Sequence, residues 1–488
     1  MKRGYLTMEQ EADPCWSMFE DRRTMKTEDQ CWSLFEDDGN VSTAEGECAQ
    51  IDQVEGVGGV RACDHPYFKG RTFPKQTLEE ALQEYIPTAC DFLTMSGSRG
   101  RSTASALHKA AGKYPTDREG CVAAARTAAA GAWQLLQEAP PTEAILHAHA
   151  LSHAMLAATL PDPKEAMAHA DLGLLLCPDL PIAALHSLAQ ECSARCQAEP
   201  RSCEYGHSEA WLVPSQLPSC PKVPEIRKPV ERVSCKGLSV PSFRDRLLNA
   251  RPAVVEGHML QAEWKSQAWS DLRFWVTSHG HRTIPIEMGS SEGDASSLAL
   301  QQSTVSEGSL KLADFVAHYL LPSNESVKRE PGNWPSEEID EWSLSQVAYM
   351  AQHQLLMQIP ELRADIVIPH FCSLGQLQTV NVWIGTAGTV TALHYDLDDN
   401  FLAQVAGYKY IRLYAFDQSG NLYAEDAPRD RSKKHGASFS PVRVECPDLE
   451  AHPNFSNAAY TETLLGPGEM LFIPKKCWHY VRSVTTSI

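Results

Sequence analysis

The stretch Thr379–Tyr414, TVNVWIGTAGTVTALHYDLDDNFLAQVAGYKYIRLY, leaves this chain little choice of local structure. Helix-forming runs are few and Gly-containing turns punctuate it, which predicts strand, turn, strand and hairpin. Positions two apart on a strand share a face, so His394 and Asp396 point into one cavity. A third candidate ligand, His479, stands in GPGEMLFIPKKCWHYV, another predicted strand behind a Gly-Pro-Gly turn.

Two imidazoles and one carboxylate form the donor set of the non-haem Fe(II) facial triad, which leaves coordination positions open for co-substrate and O2. An H-x-D triplet also arises by chance, and a strand histidine is more often a core or surface residue than a ligand. Lys409 adds a second, independent signal. In YKYIRLY it alternates with Ile411 and Leu413, while Tyr408, Tyr410, Arg412 and Tyr414 take the other face. A lysine on an apolar face is a costly buried charge unless a carboxylate neutralises it. A keto-diacid bound to the metal supplies that carboxylate.

At this point the chain resembles the JmjC-domain Fe(II)- and 2-oxoglutarate-dependent oxygenases, and within them the hydroxylase-type branch. The segments that carry the resemblance are PHFCSLG from Pro369, NVWIGTAGT from Asn381, LHYDLDDNF from Leu393, GYKYIRLY from Gly407 and GEMLFIPKKCWHYVR from Gly468. RPAVVEG from Arg251, RTIPIEMG from Arg282 and YMAQHQL from Tyr349 extend it upstream. The resemblance implies a double-stranded β-helix of the jelly-roll, cupin-like type. It also implies Fe(II) held by His394, Asp396 and His479, with 2-oxoglutarate and O2 as co-substrates. Tyr349, Thr391, Asn400 and Lys409 match the family's 2-oxoglutarate contacts. Glu287 and Trp383 match positions beside the substrate side chain, where an aromatic face suits an arginine or a methylated lysine. An exposed strand carboxylate and a core tryptophan are the plainer readings of those two. Strict alternation puts Thr391 on the face opposite His394, so its role requires a bend or bulge between them. The implied activity is hydroxylation of an arginyl side chain. Its alternatives are histone methyllysine demethylation by the same chemistry, or an inactive JmjC scaffold that only binds partners.

The rest of the 488 residues divides by pattern into an α+β chain with an all-α region ahead of the barrel. Residues 1–70 read as a disordered acidic tail in which CWSMFED from Cys15 recurs as CWSLFED from Cys31. Residues 71–199 read as a helical, tetratricopeptide-like domain, with capping-box starts at Thr77/Glu80 and Thr116/Glu119. Its expected job is packing or contact with a protein partner. His149 and His153 lie four apart on one of its helices, but no acid completes a metal site there. Cys192, Cys196, Cys203 and His207 lack the paired spacing of a zinc cluster. Residues 200–241 read as a linker and 242–488 as the oxygenase domain. Between Gly289 and Leu310 the chain turns Ser-rich, and the family's aromatic-containing strand is not recognisable. A second polar insertion spans Pro322–Ser343. After VRSVTTSI the family's further aromatic strand is missing, which predicts an exposed edge.

A formal charge of −19 argues against a nucleic-acid-binding surface and suits a basic peptide or protein substrate. No run is apolar enough to span a membrane. Fifteen cysteines without a framework, and no apolar signal segment at the start, point to an intracellular setting. Of nucleus and cytosol, the nucleus is favoured by the resemblance alone, since Arg431–Lys434 is too short to serve as an address.

Overall fold

The computed structural model describes residues 59–69, 76–138, 142–175, 183–198, 209–217, 224–248, 251–290, 306–321, 346–424 and 438–488. The duplicated CWS motif, Cys203, His207, Arg431–Lys434 and the insertion from Pro322 to Ser343 lie outside them.

A short helical turn, α1 (Pro66–Lys69), precedes six long helices: α2 (Leu78–Met95), α3 (Gly97–Lys113), α4 (Arg118–Glu138), α5 (Glu143–Thr159), α6 (Pro163–Leu175) and α7 (Ala183–Ala198). The start of α2 is the expected capping box. Thr77 Oγ1 accepts from the Glu80 amide and the Glu80 carboxylate accepts from the Thr77 amide. The start of α4 differs. Asp117, not Thr116, caps it by accepting from the Gly120 amide, while the Thr116 hydroxyl donates back to the Lys113 carbonyl. With an aspartate one residue closer to the helix, the cap moves on by one position, from the Glu119 amide to the Gly120 amide. α5 is buried on nearly every side and packs against α2, α3, α4, α6 and α7. A helix apolar all round belongs at the centre of a bundle. This explains why its histidines, His147, His149 and His153, are buried as well. His153 Nδ1 lies 3.0 Å from His169 Nδ1, so the pair shares a proton within the core.

The strands are β1 (Gly59–Arg61), β2 (Glu231–Ser234), β3 (Ala253–Glu256), β4 (Thr283–Ser290) and β5 (Ser306–Lys311). β6 (Gln346–His353), β7 (Val367–Pro369), β8 (Val382–Gly385), β9 (Val390–Tyr395) and β10 (Asn400–Ala403) follow. The last are β11 (Lys409–Tyr414), β12 (Ser438–Phe439), β13 (Tyr460–Leu465), β14 (Met470–Ile473) and β15 (Trp478–Ser483). They form sheets ordered β12-β9-β15-β11-β13, β10-β14-β3-β2 and β5-β4-β6-β8, with β1 paired to β7. The five-stranded sheet is covered on both faces. Ile411, Leu413 and Val481 pack toward Leu471, Ile473 and Val254 of the facing sheet. Tyr410, Tyr414, Trp478 and Tyr480 pack outward under Val442, Val444 and Phe455. That double cover is why YKYIRLY is rich in large side chains at every position.

Two expectations are corrected. Gly59–Arg61, within the stretch read as tail, is a strand on Val367–Pro369, and Phe68 just after it is buried. Glu231–Ser234, within the stretch read as linker, runs parallel to β3 as part of the barrel. A three- or four-residue strand that takes its partner from far along the chain leaves no local periodicity to read. The last residues of the chain return to the barrel. Gly385 and Ser487 exchange backbone hydrogen bonds, and Ile488 does the same with Ala406. Gly407 makes room for this return. Its φ is +74°, and a Cβ there would strike the Thr486 carbonyl. β5 occupies part of the Ser-rich stretch and pairs along β4 without an aromatic residue.

Candidate metal and co-substrate site

β9 and β15 lie antiparallel with His394 directly opposite His479, their ring centres 4.1 Å apart. Asp396 follows at the end of β9. Its Oδ1 lies 3.9 Å from His394 Nε2 and its Oδ2 3.6 Å from His479 Nε2. One donor atom from each of the three residues fits within 4.8 Å of the others. Among the described residues, no other group of three or more His, Cys, Asp or Glu side chains meets that condition.

The tautomers are fixed by the backbone. His394 Nδ1 is 2.7 Å from the Ala392 carbonyl and His479 Nδ1 is 3.0 Å from the Cys477 carbonyl. A carbonyl only accepts, so each Nδ1 carries a proton and each Nε2 is the ring atom turned toward Asp396. Burial, reinforced by His394 and opposed by Asp396, holds the His479 imidazole well below its usual pKa and therefore neutral. Asn400 donates to Asp396 Oδ2 at 2.7 Å, and the Lys476 amide donates to the Asp396 carbonyl. Two imidazoles and an oriented carboxylate, each held from behind, are the donor set a ferrous ion requires.

β11 brings Lys409 to the same interior. It is 4% exposed, its Nζ lies 5.9 Å from the Tyr349 ring centre, and burial lowers its pKa to about 8. No carboxylate pairs with it among the described residues, so a dicarboxylate ligand has an unopposed cation to meet. Tyr349 on β6 is buried, which raises its phenol pKa, and a side-chain hydrogen bond joins it to Thr391. That contact depends on a bulge. Val481 pairs with Thr391 and His479 with His394, so Ala392 and Leu393 together oppose Tyr480 alone. The extra residue turns Thr391 to the side of His394. Glu287 pairs in register with Tyr349, and the Trp383 ring on β8 lies 5.6 Å from the Tyr349 ring. Gly385 is required beside them, because a Cβ there would come within 2.6 Å of Tyr349 Cδ2.

Asn400, matched above to a co-substrate contact, donates to Asp396 and so also orients the carboxylate of the donor group. Sequence reasoning also missed Phe439, whose half-exposed ring stacks on His394 at 5.4 Å from β12. Only a lone apolar residue in a polar stretch marks it. The turn of Lys475 and Lys476 was missed too. Lys476 has φ +63°, and the Lys475 amide donates to Asp399 Oδ1, which ties the turn ahead of His479 to the Asp396 loop.

A family model described as a cupin-like domain matches residues 240–488. Lysine-specific demethylase 8 of Xenopus tropicalis is 34% identical over 299 residues, 59% of this chain and 56% of that protein. Lysine-specific demethylase 8 of Danio rerio is 38% identical over 266 residues, 53% of this chain and 57% of that protein. Lysine-specific demethylase JMJ30 of Arabidopsis thaliana is 35% identical over 272 residues, 53% of this chain and 55% of that protein. The matched region spans about half the length of these relatives. With the barrel, the donor triad and these matches together, the chain belongs to the cupin-like family, among its JmjC members.

Proposed function

We propose that the chain is an Fe(II)- and 2-oxoglutarate-dependent protein hydroxylase acting on an arginyl side chain. The observation that carries this reading is the convergence of His394, Asp396 and His479, with the buried Lys409 ammonium in the same interior. Ferrous iron with 2-oxoglutarate and O2 supplies the oxidation, releasing succinate and CO2. The protein's part is to bind and aim. His394 Nε2, His479 Nε2 and Asp396 hold the ion, and Asn400 keeps the carboxylate turned toward it. Lys409 receives the distal carboxylate of the co-substrate in a charge-assisted pair, with the Tyr349 phenol and Thr391 hydroxyl beside it. Trp383 offers a face to a cationic side chain, and Glu287 offers it a negative charge. Positioning the C–H bond in such a site is where the chain contributes most to rate.

Demethylation of a methyllysine is the second reading, and the names of the relatives favour it. Trp383 and Glu287 suit either cation, so the geometry does not separate the two. Mass spectrometry of arginine- and methyllysine-containing basic peptides after incubation with Fe(II), 2-oxoglutarate and O2 does. Gain of one oxygen atom on arginine is the expected result, and loss of methyl groups from lysine gives the second reading. No iron-dependent succinate at all makes the barrel an inactive scaffold.

The substrate follows from charge and shape as a basic peptide or protein. No described helix is long and apolar enough to cross a membrane. A nuclear or cytosolic setting, and a partner for the helical region, extend the same reading.

A further inference from the structure

Far from the metal donors, α6 meets the barrel at a buried charged junction. Asp171 is fully buried, and the Arg282 guanidinium that pairs with it is 3% exposed. Asp171 Oδ1 accepts from Arg282 Nη2 at 2.7 Å and from Gln358 Nε2 at 2.7 Å, and Oδ2 accepts from the Thr283 amide at 2.7 Å. Gln358 Nε2 also donates to the Thr283 carbonyl at 2.7 Å, and Gln358 Oε1 lies 2.7 Å from His353 Nε2. Arg282 Nη2 donates in addition to the Gln358 carbonyl.

Every barrel group in this network lies at an end of β4 or β6 or on the turn after β6. Thr283 begins β4, which carries Glu287 four residues on. His353 ends β6, which carries Tyr349 four residues back. Between Tyr349 and His353 the β6–β8 register slips, and Gln352 takes φ +45°. A bulge re-aims the side chains before it, and a non-glycine left-handed residue persists only where its surroundings enforce it. The His353–Gln358 hydrogen bond begins at the very next residue. Cohesion alone would be better served by apolar packing, since taking both charges out of water gains little over hydrophobic residues of similar volume.

We propose that Asp171 is a positioning residue for the co-substrate wall. From the helical layer it locks the ends of β4 and β6, and through the β6 bulge it sets Tyr349 beside Lys409. The inference rests on the 2-oxoglutarate reading of the site. It predicts that the helical layer tunes co-substrate affinity without touching the metal.

The test uses the full chain and two substitutions. Gln358→Leu removes the link to His353 and Thr283 but keeps the Asp171–Arg282 pair, and Asp171→Asn weakens the pair itself. Calorimetric titration of Mn(II), and then of 2-oxoglutarate into the Mn(II)-loaded protein, gives separate affinities. The expected result is a 2-oxoglutarate Kd raised about 3- to 30-fold by Gln358→Leu, the scale of coupling through a packed network, with the Mn(II) Kd unchanged. Asp171→Asn shifts in the same direction, and if it does not fold, Gln358→Leu decides alone. Unchanged 2-oxoglutarate affinity in folded Gln358→Leu overturns the proposal, as does equal weakening of metal and co-substrate. Succinate release by the wild type keeps the two claims apart. With it, those results reject only the positioning role. Without 2-oxoglutarate binding to wild type, the functional reading fails and this inference falls with it.

Discussion

Lys409 is the residue on which the proposed co-substrate site turns, and its burial has a measurable sign. Burial lowers its pKa from 10.5 to about 8. Its folded-state pKa is below the unfolded one, so between about pH 8 and 10.5 the unfolded chain holds the extra proton and stability rises with pH. Below that window the buried ammonium costs about 3 kcal/mol. A bound dicarboxylate needs the ammonium form. The affinity for 2-oxoglutarate is therefore expected to fall as pH rises past about 8, by up to about tenfold per pH unit. Titrations at several pH values check this, and Lys409→Met should bind weakly with a flat profile. A second residue-scale expectation concerns the triad. His479→Ala should abolish tight Fe(II) or Mn(II) binding while the far-ultraviolet spectrum stays that of the folded chain. Alternation put His394 with Asp396, and Lys409 with Ile411 and Leu413, on shared faces, but the placing of His479 opposite His394 comes from the strand register. Phe439 was not legible, since nothing local says that its two-residue strand lies beside His394.

At the scale of elements, one inserted residue in β9 brings Thr391 to the side of His394, in the proposed co-substrate wall. Alternation placed Thr391 on the wrong face, and the sequence could state only that a bulge was needed. The register shows where it lies, opposite Tyr480. The Gly385 position on β8 tests the packing that depends on it. Gly385→Ala must displace the Tyr349 ring, and calorimetry should show weaker 2-oxoglutarate binding with metal binding retained. Helix starts are a simpler case. Thr77→Ala breaks a complete capping box and should cost about 1 kcal/mol in denaturant unfolding. Thr116→Ala should cost less, because Asp117 caps this helix through the Gly120 amide while the Thr116 hydroxyl donates to the Lys113 carbonyl. Residue types for a cap were legible. Which of two adjacent candidates reaches the amide depends on where the chain turns.

Over the whole molecule, the helical region and the barrel were readable from period, 3.6 in one and 2 in the other. Their seam was not. Gly59–Arg61 and Glu231–Ser234 join the β-structure from stretches that look like tail and linker, and Asp171 reaches Arg282 across more than a hundred residues. Long-range pairs of this kind leave no trace in composition. The charge of −19 is a property at this scale as well. It should draw basic peptides to the site, so kcat/KM for such a peptide is expected to fall as salt rises, while turnover at saturating peptide changes little. The central claim is that three donors and one ammonium share a single hollow. A crystal structure with Mn(II) and 2-oxoglutarate, read by anomalous scattering, tests it most directly. The account predicts one ion about 2.0–2.3 Å from His394 Nε2, His479 Nε2 and an Asp396 oxygen, with the distal carboxylate on Lys409 Nζ. An ion bound elsewhere, or a co-substrate whose distal carboxylate turns away from Lys409, would contradict it.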